Sequence, residues 1–235
     1  FYGALGTKIN ILQRNKYLVP SEDLEIKEKF TKIFSKKYNV ITNFTVDEVM
    51  KKGGKYTVHA SSKDGKKQKK VVSDKLLVAT GRKPNTDILE VEKAGIKINK
   101  SGYLVCNKYL ETTAKNVWAL GDIVGNYLFK HSANLEAGYV YNNALRRKKL
   151  KVDYTAMPWA IFSSPQISGV GFTEEELKEK KIDYAVGRYN YIDSGMGTAL
   201  QDKDGFVKIL VDRRTKKILG CHIIGTNASS IIHEI

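Results

Sequence analysis

The chain has 235 residues, 42% hydrophobic and 28% charged, with 40 Lys and Arg against 25 Asp and Glu for a net charge of +15. That length holds one large or two small domains with a substantial core, and no apolar run approaches the roughly 20 residues a membrane helix needs. No secretory or transit signal opens it. The positive charge raises the question of nucleic acid, yet the lysines are scattered. Their densest run, Lys63-Asp64-Gly65-Lys66-Lys67-Gln68-Lys69-Lys70, sits between two strand-like segments and reads as a solvated hairpin tip, which argues against that partner.

Phe1 to Gly6 reads as the last turn of a helix with Gly6 as its left-handed stop. A fold rarely begins there, so residue 1 is expected to be a cut point within a longer protein. Thr7 to Gln13 reads as a strand carrying Ile9, Ile11 and Leu12. Ser21 is the expected N-cap of the following helix, with Glu22 and Asp23 at its positive end. Ile26, Phe30, Ile33 and Phe34 recur at helical spacing and give that helix one apolar face. Asn39 to Val49, Tyr56 to Ala60 and Val71 to Ala79 are expected strands, with Gly53-Gly54 as a turn. Strand, helix, strand and then a small meander is the pattern of a nucleotide-binding α/β unit without its first strand.

Thr80-Gly81-Arg82-Lys83-Pro84-Asn85 interrupts the pattern. Turns at Gly95 and Gly102 and a strand from Tyr103 to Cys106 follow. The apolar run Val117-Trp118-Ala119-Leu120 then leads into Gly121-Asp122. A buried strand ending there would place one carboxylate at the carboxyl edge of a sheet, where open α/β sheets bind ligands. A helix is expected from about Ser132 to Arg147. Strands at Trp159 to Phe162, Gln166 to Phe172, Tyr184 to Tyr191, Phe206 to Val211 and Lys217 to Ile224 describe an antiparallel sheet with flanking helices. Thr173-Glu174-Glu175-Glu176 has the capping-box spacing for a short helix through Lys180.

Three stretches, Leu76-Leu77-Val78-Ala79-Thr80-Gly81-Arg82-Lys83-Pro84-Asn85, Val117 to Asp122, and Phe162-Ser163-Ser164-Pro165-Gln166-Ile167-Ser168-Gly169-Val170-Gly171, occur in an order and spacing that resemble the FAD-dependent pyridine nucleotide-disulfide oxidoreductases. Leu128 to Ala137 and the segment Leu219 to Gly225 resemble the dihydrolipoamide dehydrogenase and mycothione reductase branches. The resemblance covers essentially the whole chain. It implies an α/β fold with three parts: a partial Rossmann-like NAD(P)-binding domain over residues 1–80, a returning FAD-domain segment over 81–150, and an α+β interface (dimerisation) domain over 151–235. It also implies a homodimeric parent enzyme that moves electrons between NADPH or NADH, FAD and a dithiol or disulfide, either a small molecule or a lipoyl protein. Mycothione, mercuric ion and glutathione are the alternative acceptors, and a non-enzymatic dimerisation or nucleic-acid-binding module, favoured only by the charge, is the alternative of a different class.

By the same resemblance, Asp122 accepts a hydrogen bond from the ribityl chain of FAD, and Gly121, Leu128, Phe129, Lys130 and His131 are flavin neighbours, mostly through backbone groups at a helix N-terminus. Gln13, Arg14, Val46 and Gly81 fall on the NAD(P) side. An acid at the end of the second strand accepts from the ribose 2′-hydroxyl and repels a 2′-phosphate. Here the strand ends in Gln13-Arg14 with Lys16 behind, which leans toward NADPH. Lys130 departs from the small residue common in dihydrolipoamide dehydrogenases and leans toward mycothione reductases.

No metal-ligand spacing is present, and no catalytic residue is expected in this chain. Cys106 and Cys221 are far apart, and the family's Cys-x-x-x-x-Cys redox pair, Gly-x-Gly-x-x-Gly loop and Pro-containing catalytic His segment have no match here. His233-Glu234 is not in such a segment, and His59 and His222 read as structural. These residues alone are therefore expected to be inactive. Low cysteine usage fits a cytoplasmic protein.

Overall fold

The computed structural model describes all residues 1–235, which divide into two compact units, Phe1–Val78 with Pro158–Ile235, and Ala79–Met157. In the first stretch a 3₁₀ turn, Tyr2–Leu5, is stopped by Gly6 in the left-handed conformation. Strand β1 (Asn10–Gln13), helix α1 (Leu24–Lys37) and strand β2 (Asn39–Thr42) form a βαβ crossover, with β1 and β2 parallel in the register Gln13↔Thr42. The N-cap of α1 is Asp23 rather than Ser21: its carboxylate accepts from the Glu25 N–H at 3.1 Å. An Asp is as good a cap as a Ser, and here it is also held from outside the helix.

The expected strand from Asn39 to Val49 is two strands, β2 and β3 (Phe44–Lys52), separated by Asn43 at φ 62°. Asn tolerates that conformation better than a β-branched residue would. With β4 (Lys55–Ser62) and β5 (Gln68–Ser73), β3 makes an antiparallel three-stranded sheet in the order β3-β4-β5. The Lys-rich run is the exposed tip and edge of the β4–β5 hairpin. Strand β5 ends at Ser73, short of the expected Ala79, and Leu77 and Val78 are exposed. A strand needs a neighbour for its backbone, and none of the other strands pairs with residues 74–79.

The second unit has little regular structure besides α2 (Thr86–Leu89) and α3 (Lys130–Ala144). The anticipated strands Tyr103 to Cys106 and Val117 to Leu120 are reduced to the isolated bridges Ile98↔Leu104 and Glu111↔Trp118. Its core is Leu110, Val124 and Val152, with Cys106, Ala119, Ile123, Tyr139, Val140 and Tyr154 packed against them.

The last stretch returns to the first unit through β6 (Trp159–Ile161), β7 (Gln166–Gly171), α4 (Glu174–Glu179), β8 (Tyr184–Asn190), α5 (Gly195–Ala199), β9 (Phe206–Asp212), β10 (Ile218–Gly225) and α6 (Ala228–Ile231). The five strands form one antiparallel sheet in the order β6-β7-β10-β9-β8. Thr173 and Glu176 close the capping box of α4 in both directions.

The apolar face of α1 is the joint between the two parts of this unit. Ile26, Phe30 and Ile33 are buried with Leu18, and with Ile167, Phe206 and Ile224 from the antiparallel sheet, while Ile11 and Val40 pack from the β1–β2 side. Each such side chain contributes about 1.5–3 kcal/mol on burial. The N-terminus of α1 is fixed by charge. Lys208 on β9 is buried and its ammonium meets Asp23 at 2.9 Å, Glu25 at 2.9 Å and Glu174 at 2.6 Å. The Asp23 carboxylate also accepts from the Glu174 N–H at 3.0 Å, and both Glu22 carboxylate oxygens lie 3.0 Å from the Trp159 indole N–H.

Candidate functional site: the Gly81–Asp122 cleft

An open cleft of about 440 Å³ in the second unit is lined by Arg82, Lys83, Pro84, Asn85, Tyr103, Asp122, Ile123 and Leu128. The backbone on two sides of it turns in conformations that suit glycine, Gly81 at φ 128° and Gly121 at φ 77°. A Cβ added at Gly81 would meet nothing within 4 Å, so that backbone lies open to an approaching ligand.

Asp122 lies in a short 3₁₀ turn, Gly121–Ile123, and its side chain is half exposed. The turn is held from beneath. The Gly121 N–H donates to Glu136 Oε2 at 2.5 Å, and the Tyr154 hydroxyl donates to Glu136 Oε1 at 2.6 Å while accepting from Asn126 Nδ2 at 3.1 Å. Burial, and then the hydrogen bond to the Glu136 carboxylate, push the Tyr154 hydroxyl well above its ordinary pKa, so it remains a donor. From above, a single nitrogen of Arg82, Nη1, donates to Asp122 Oδ2 at 2.8 Å and to the Leu128 carbonyl at 2.7 Å.

Leu128 and Phe129 lead into α3, which begins two residues before the expected Ser132 and has no side-chain cap hydrogen bond at Phe129. The Ser132 hydroxyl donates back to the Phe129 carbonyl at 2.7 Å. The Phe129 and His131 rings are stacked, with centroids 5.3 Å apart. Lys130 Nζ hydrogen-bonds Asn134 Oδ1 one turn on. Arg82, Asp122 and Leu128 are thus brought together around one cleft, with Phe129, Lys130 and His131 next in chain.

Glu136, Tyr154 and the bridging role of Arg82 were not evident from sequence. A signal for Glu136 exists in retrospect: Ser132, Glu136 and Asn143 are buried polar residues at helical spacing on one face of α3.

Gln13, Arg14 and Val46 belong to the other unit. Gln13 ends β1, at the carboxyl end of the parallel pair, and its side-chain carbonyl accepts from the Asn15 N–H at 3.1 Å. Arg14 is exposed, and Lys16 sits over the Tyr17 ring at 4.7 Å. Val46 is exposed on β3 beside the bulge at Asp47, whose carboxylate accepts from the Ser61 hydroxyl at 2.6 Å.

The two thiols are unreactive in character. Burial pushes Cys221 up to about 11, and burial with the negative charge of Glu136 does the same for Cys106, so neither is a thiolate near neutral pH. Cys221 and His222 occupy successive positions on β10, hence opposite faces; His222 is buried and bonds through Nε2 to the Phe172 carbonyl at 2.9 Å. No group of three or more His, Cys, Asp or Glu side chains could hold a metal ion.

Two family models account for the whole chain. Residues 1–157 match the pyridine nucleotide-disulphide oxidoreductase model, and residues 157–235 match the pyridine nucleotide-disulphide oxidoreductase dimerisation domain. The chain belongs to the pyridine nucleotide-disulphide oxidoreductases, a family that uses FAD and NAD(P)H.

Within that family it is similar to mycothione reductase of Mycobacterium tuberculosis, 35% identical over 239 residues that cover 100% of this chain and 51% of that protein. It is 32% identical over 234 residues to dihydrolipoyl dehydrogenase of Buchnera aphidicola, covering 100% and 49%. Mercuric reductase of Staphylococcus aureus is 35% identical over 230 residues, covering 97% and 42%. Among solved structures, the HOCl-induced flavoprotein disulfide reductase RclA from Escherichia coli superposes with a TM-score of 0.87 at 29% identity, covering 99% of this chain and 53% of that one. LpdA from Mycobacterium tuberculosis, at 21% identity and a TM-score of 0.89 over 99% of this chain and 50% of that one, shares the fold. The chain spans about half the length of the curated relatives it matches. No helix is long and apolar enough to cross a membrane.

Proposed function

We propose that the chain supplies part of the coenzyme-binding and dimerisation framework of an FAD-dependent, NAD(P)H-linked disulfide oxidoreductase. The division of labour is the one expected from sequence: residues 1–80 as part of the NAD(P)-binding domain, 81–150 as the FAD-domain segment and 151–235 as the interface domain of a homodimer. The observation that carries the reading is Asp122, a half-exposed carboxylate on a rigidly held turn at a cleft whose backbone is open. The donor set fits a hydroxylated, phosphate-bearing cofactor: one carboxylate acceptor, a guanidinium and an ammonium from Arg82 and Lys83, and an uncapped helix start.

When bound, the flavin supplies the two-electron carrier between nicotinamide and disulfide. Asp122 accepts from its hydroxylated chain. Gly121, Leu128, Phe129, Lys130 and His131 contribute backbone groups along the same turn and helix start, whose N–H groups favour electron-rich atoms. Gly81 admits the close approach of a dinucleotide. On the NAD(P) side, Val46 gives an apolar contact, Gln13 carries no charge to repel a 2′-phosphate, and Arg14 and Lys16 attract one, which supports NADPH.

The electron acceptor is a dithiol or disulfide compound, of lipoyl or mycothione type. The thiolate that attacks it is neither Cys106 nor Cys221, since both are held protonated. The protein works in the cytoplasm. The test is an absorption spectrum of the full-length protein before and after NADH or NADPH. A flavin spectrum bleached preferentially by NADPH supports the reading and the coenzyme choice. A colourless protein that cannot be reconstituted with FAD ends it.

A further inference from the structure

We propose that Arg82 is the residue that sets the flavin-side cleft, acting as a positioning residue that ties Asp122 to the start of α3. This inference rests on the flavin reading of that cleft. Asp122 and Leu128 are the two ends of the loop that joins the Gly121 turn to α3, and one guanidinium nitrogen bonds both, at 2.8 and 2.7 Å. The two anchors of the turn differ in kind. Beneath it, Glu136 is buried and holds the Gly121 backbone. Above it, the Arg82 and Asp122 side chains are 58% and 55% exposed.

That exposure separates a positioning role from a structural one. An ion pair this open contributes at most about 1 kcal/mol to folding stability, so retaining the fold does not require it. What it does fix is where the Asp122 carboxylate stands relative to the Leu128 carbonyl and the N–H groups of the following turn. Without Arg82 the carboxylate is free to leave its rotamer and the loop loses the bond that joins its ends. A ligand that uses both groups would then have to order them itself, which weakens binding. Both of these protein bonds are made by Nη1, and Arg82 itself lines the cleft.

The experiment uses the full-length protein with its cofactor removed and then titrated with FAD, followed by flavin fluorescence, alongside thermal melts of the cofactor-free forms. Arg82→Met is expected to weaken FAD binding at least tenfold while shifting the cofactor-free Tm little. Arg82→Lys, which keeps charge and several donors, is expected to recover most of that loss. Combining Arg82→Met with Asp122→Asn should cost little more than Asp122→Asn alone. Wild-type affinity in Arg82→Met overturns the proposal and leaves the flavin reading intact. So does a loss of affinity matched by a collapse of the cofactor-free Tm, and so does full additivity of the two substitutions. A wild-type protein that binds no FAD overturns both.

Discussion

The ammonium of Lys208 lies 2.9 Å from the carboxylate of Asp23, with neither side chain exposed, and the pair joins the cap of α1 to strand β9 of the antiparallel sheet. Removing one member of a buried pair strands the other charge, at about 3–5 kcal/mol. Lys208→Met is expected to lower the unfolding free energy by about 3 kcal/mol, measured by urea titration. Adding Asp23→Asn should recover part of that loss, because the fully buried one of the three carboxylates left without Lys208 is then neutral. A second substitution that only adds to the first would show that the pair is not coupled.

Acid should dissolve the same joint in two stages. His222 is buried and held neutral: burial is the largest cause of its lowered pKa, opposed by its bond to the Phe172 carbonyl. It is flanked by Lys208 on β9, Asp23 on α1, Glu176 on α4 and the Trp159 ring on β6. A lowered folded value means the unfolded chain takes up the proton first, so stability falls as pH drops below the ordinary histidine value of 6.5. Glu174 follows, drawn down to about 2 by hydrogen bonds from Lys178 and Lys208, and its contribution is lost between the ordinary 4.5 and that value. For Asp23, burial pushes upward, but the Glu174 N–H and Lys208 outweigh it, so its contribution is also lost in acid, below the ordinary 3.8. Glu22 runs the other way, raised by burial, and partly offsets the loss. Denaturation midpoints across pH 2 to 8 should show His222→Gln removing the first slope and leaving the second; an unchanged profile refutes the assignment.

Glu136 takes two hydrogen bonds in a buried site, from Gly121 N–H and the Tyr154 hydroxyl. Glu136→Ala leaves the buried Gly121 N–H unpaired, at about 1–3 kcal/mol, and takes the acceptor from the half-buried Tyr154 hydroxyl. The expected results are a clear fall in the melting temperature of the full-length protein and faster loss of bound flavin. Tyr154→Phe, which removes one donor and keeps the other bond, should sit between wild type and Glu136→Ala.

Coenzyme preference should respond to the end of β1. Gln13→Glu places a carboxylate where a 2′-phosphate would come, and Arg14→Ala removes a cation. Each is expected to shift the NADPH-to-NADH ratio of kcat/KM toward NADH by about tenfold, which is 1.4 kcal/mol of differential binding. Equal loss with both coenzymes would place these side chains away from the 2′ position.

The elements legible in the sequence were those whose apolar pattern is satisfied inside the chain. Ile26, Phe30 and Ile33 mark a helix face that is buried as expected, and the five antiparallel strands were placed to within a residue or two because they pair with one another. Val117 to Leu120 and residues 74–79 carry the same kind of pattern but have no ladder to join, so they are irregular. Charge was harder to read. Lys208 shares the buried face of β9 with Phe206 and Leu210, a position alternation alone assigns to an apolar residue. At the cleft, Asp122 stood out by its Gly-Asp context, whereas Arg82 and Glu136 became visible only when the fold brought residues 40 and 15 positions apart into hydrogen-bonding distance.

The joint made by α1 also sets a timetable for the growing chain. Asp23 and Lys208 are separated by 185 residues, so α1 emerges long before the strands that cover it. At about 5–20 residues per second, the interval between them is roughly 10–40 s. Throughout that time Ile26, Phe30 and Ile33 lack the cover that Ile167, Phe206 and Ile224 give them. Contacts so distant in sequence close slowly, so the apolar face of α1 is completed only after the strands of the antiparallel sheet have been made.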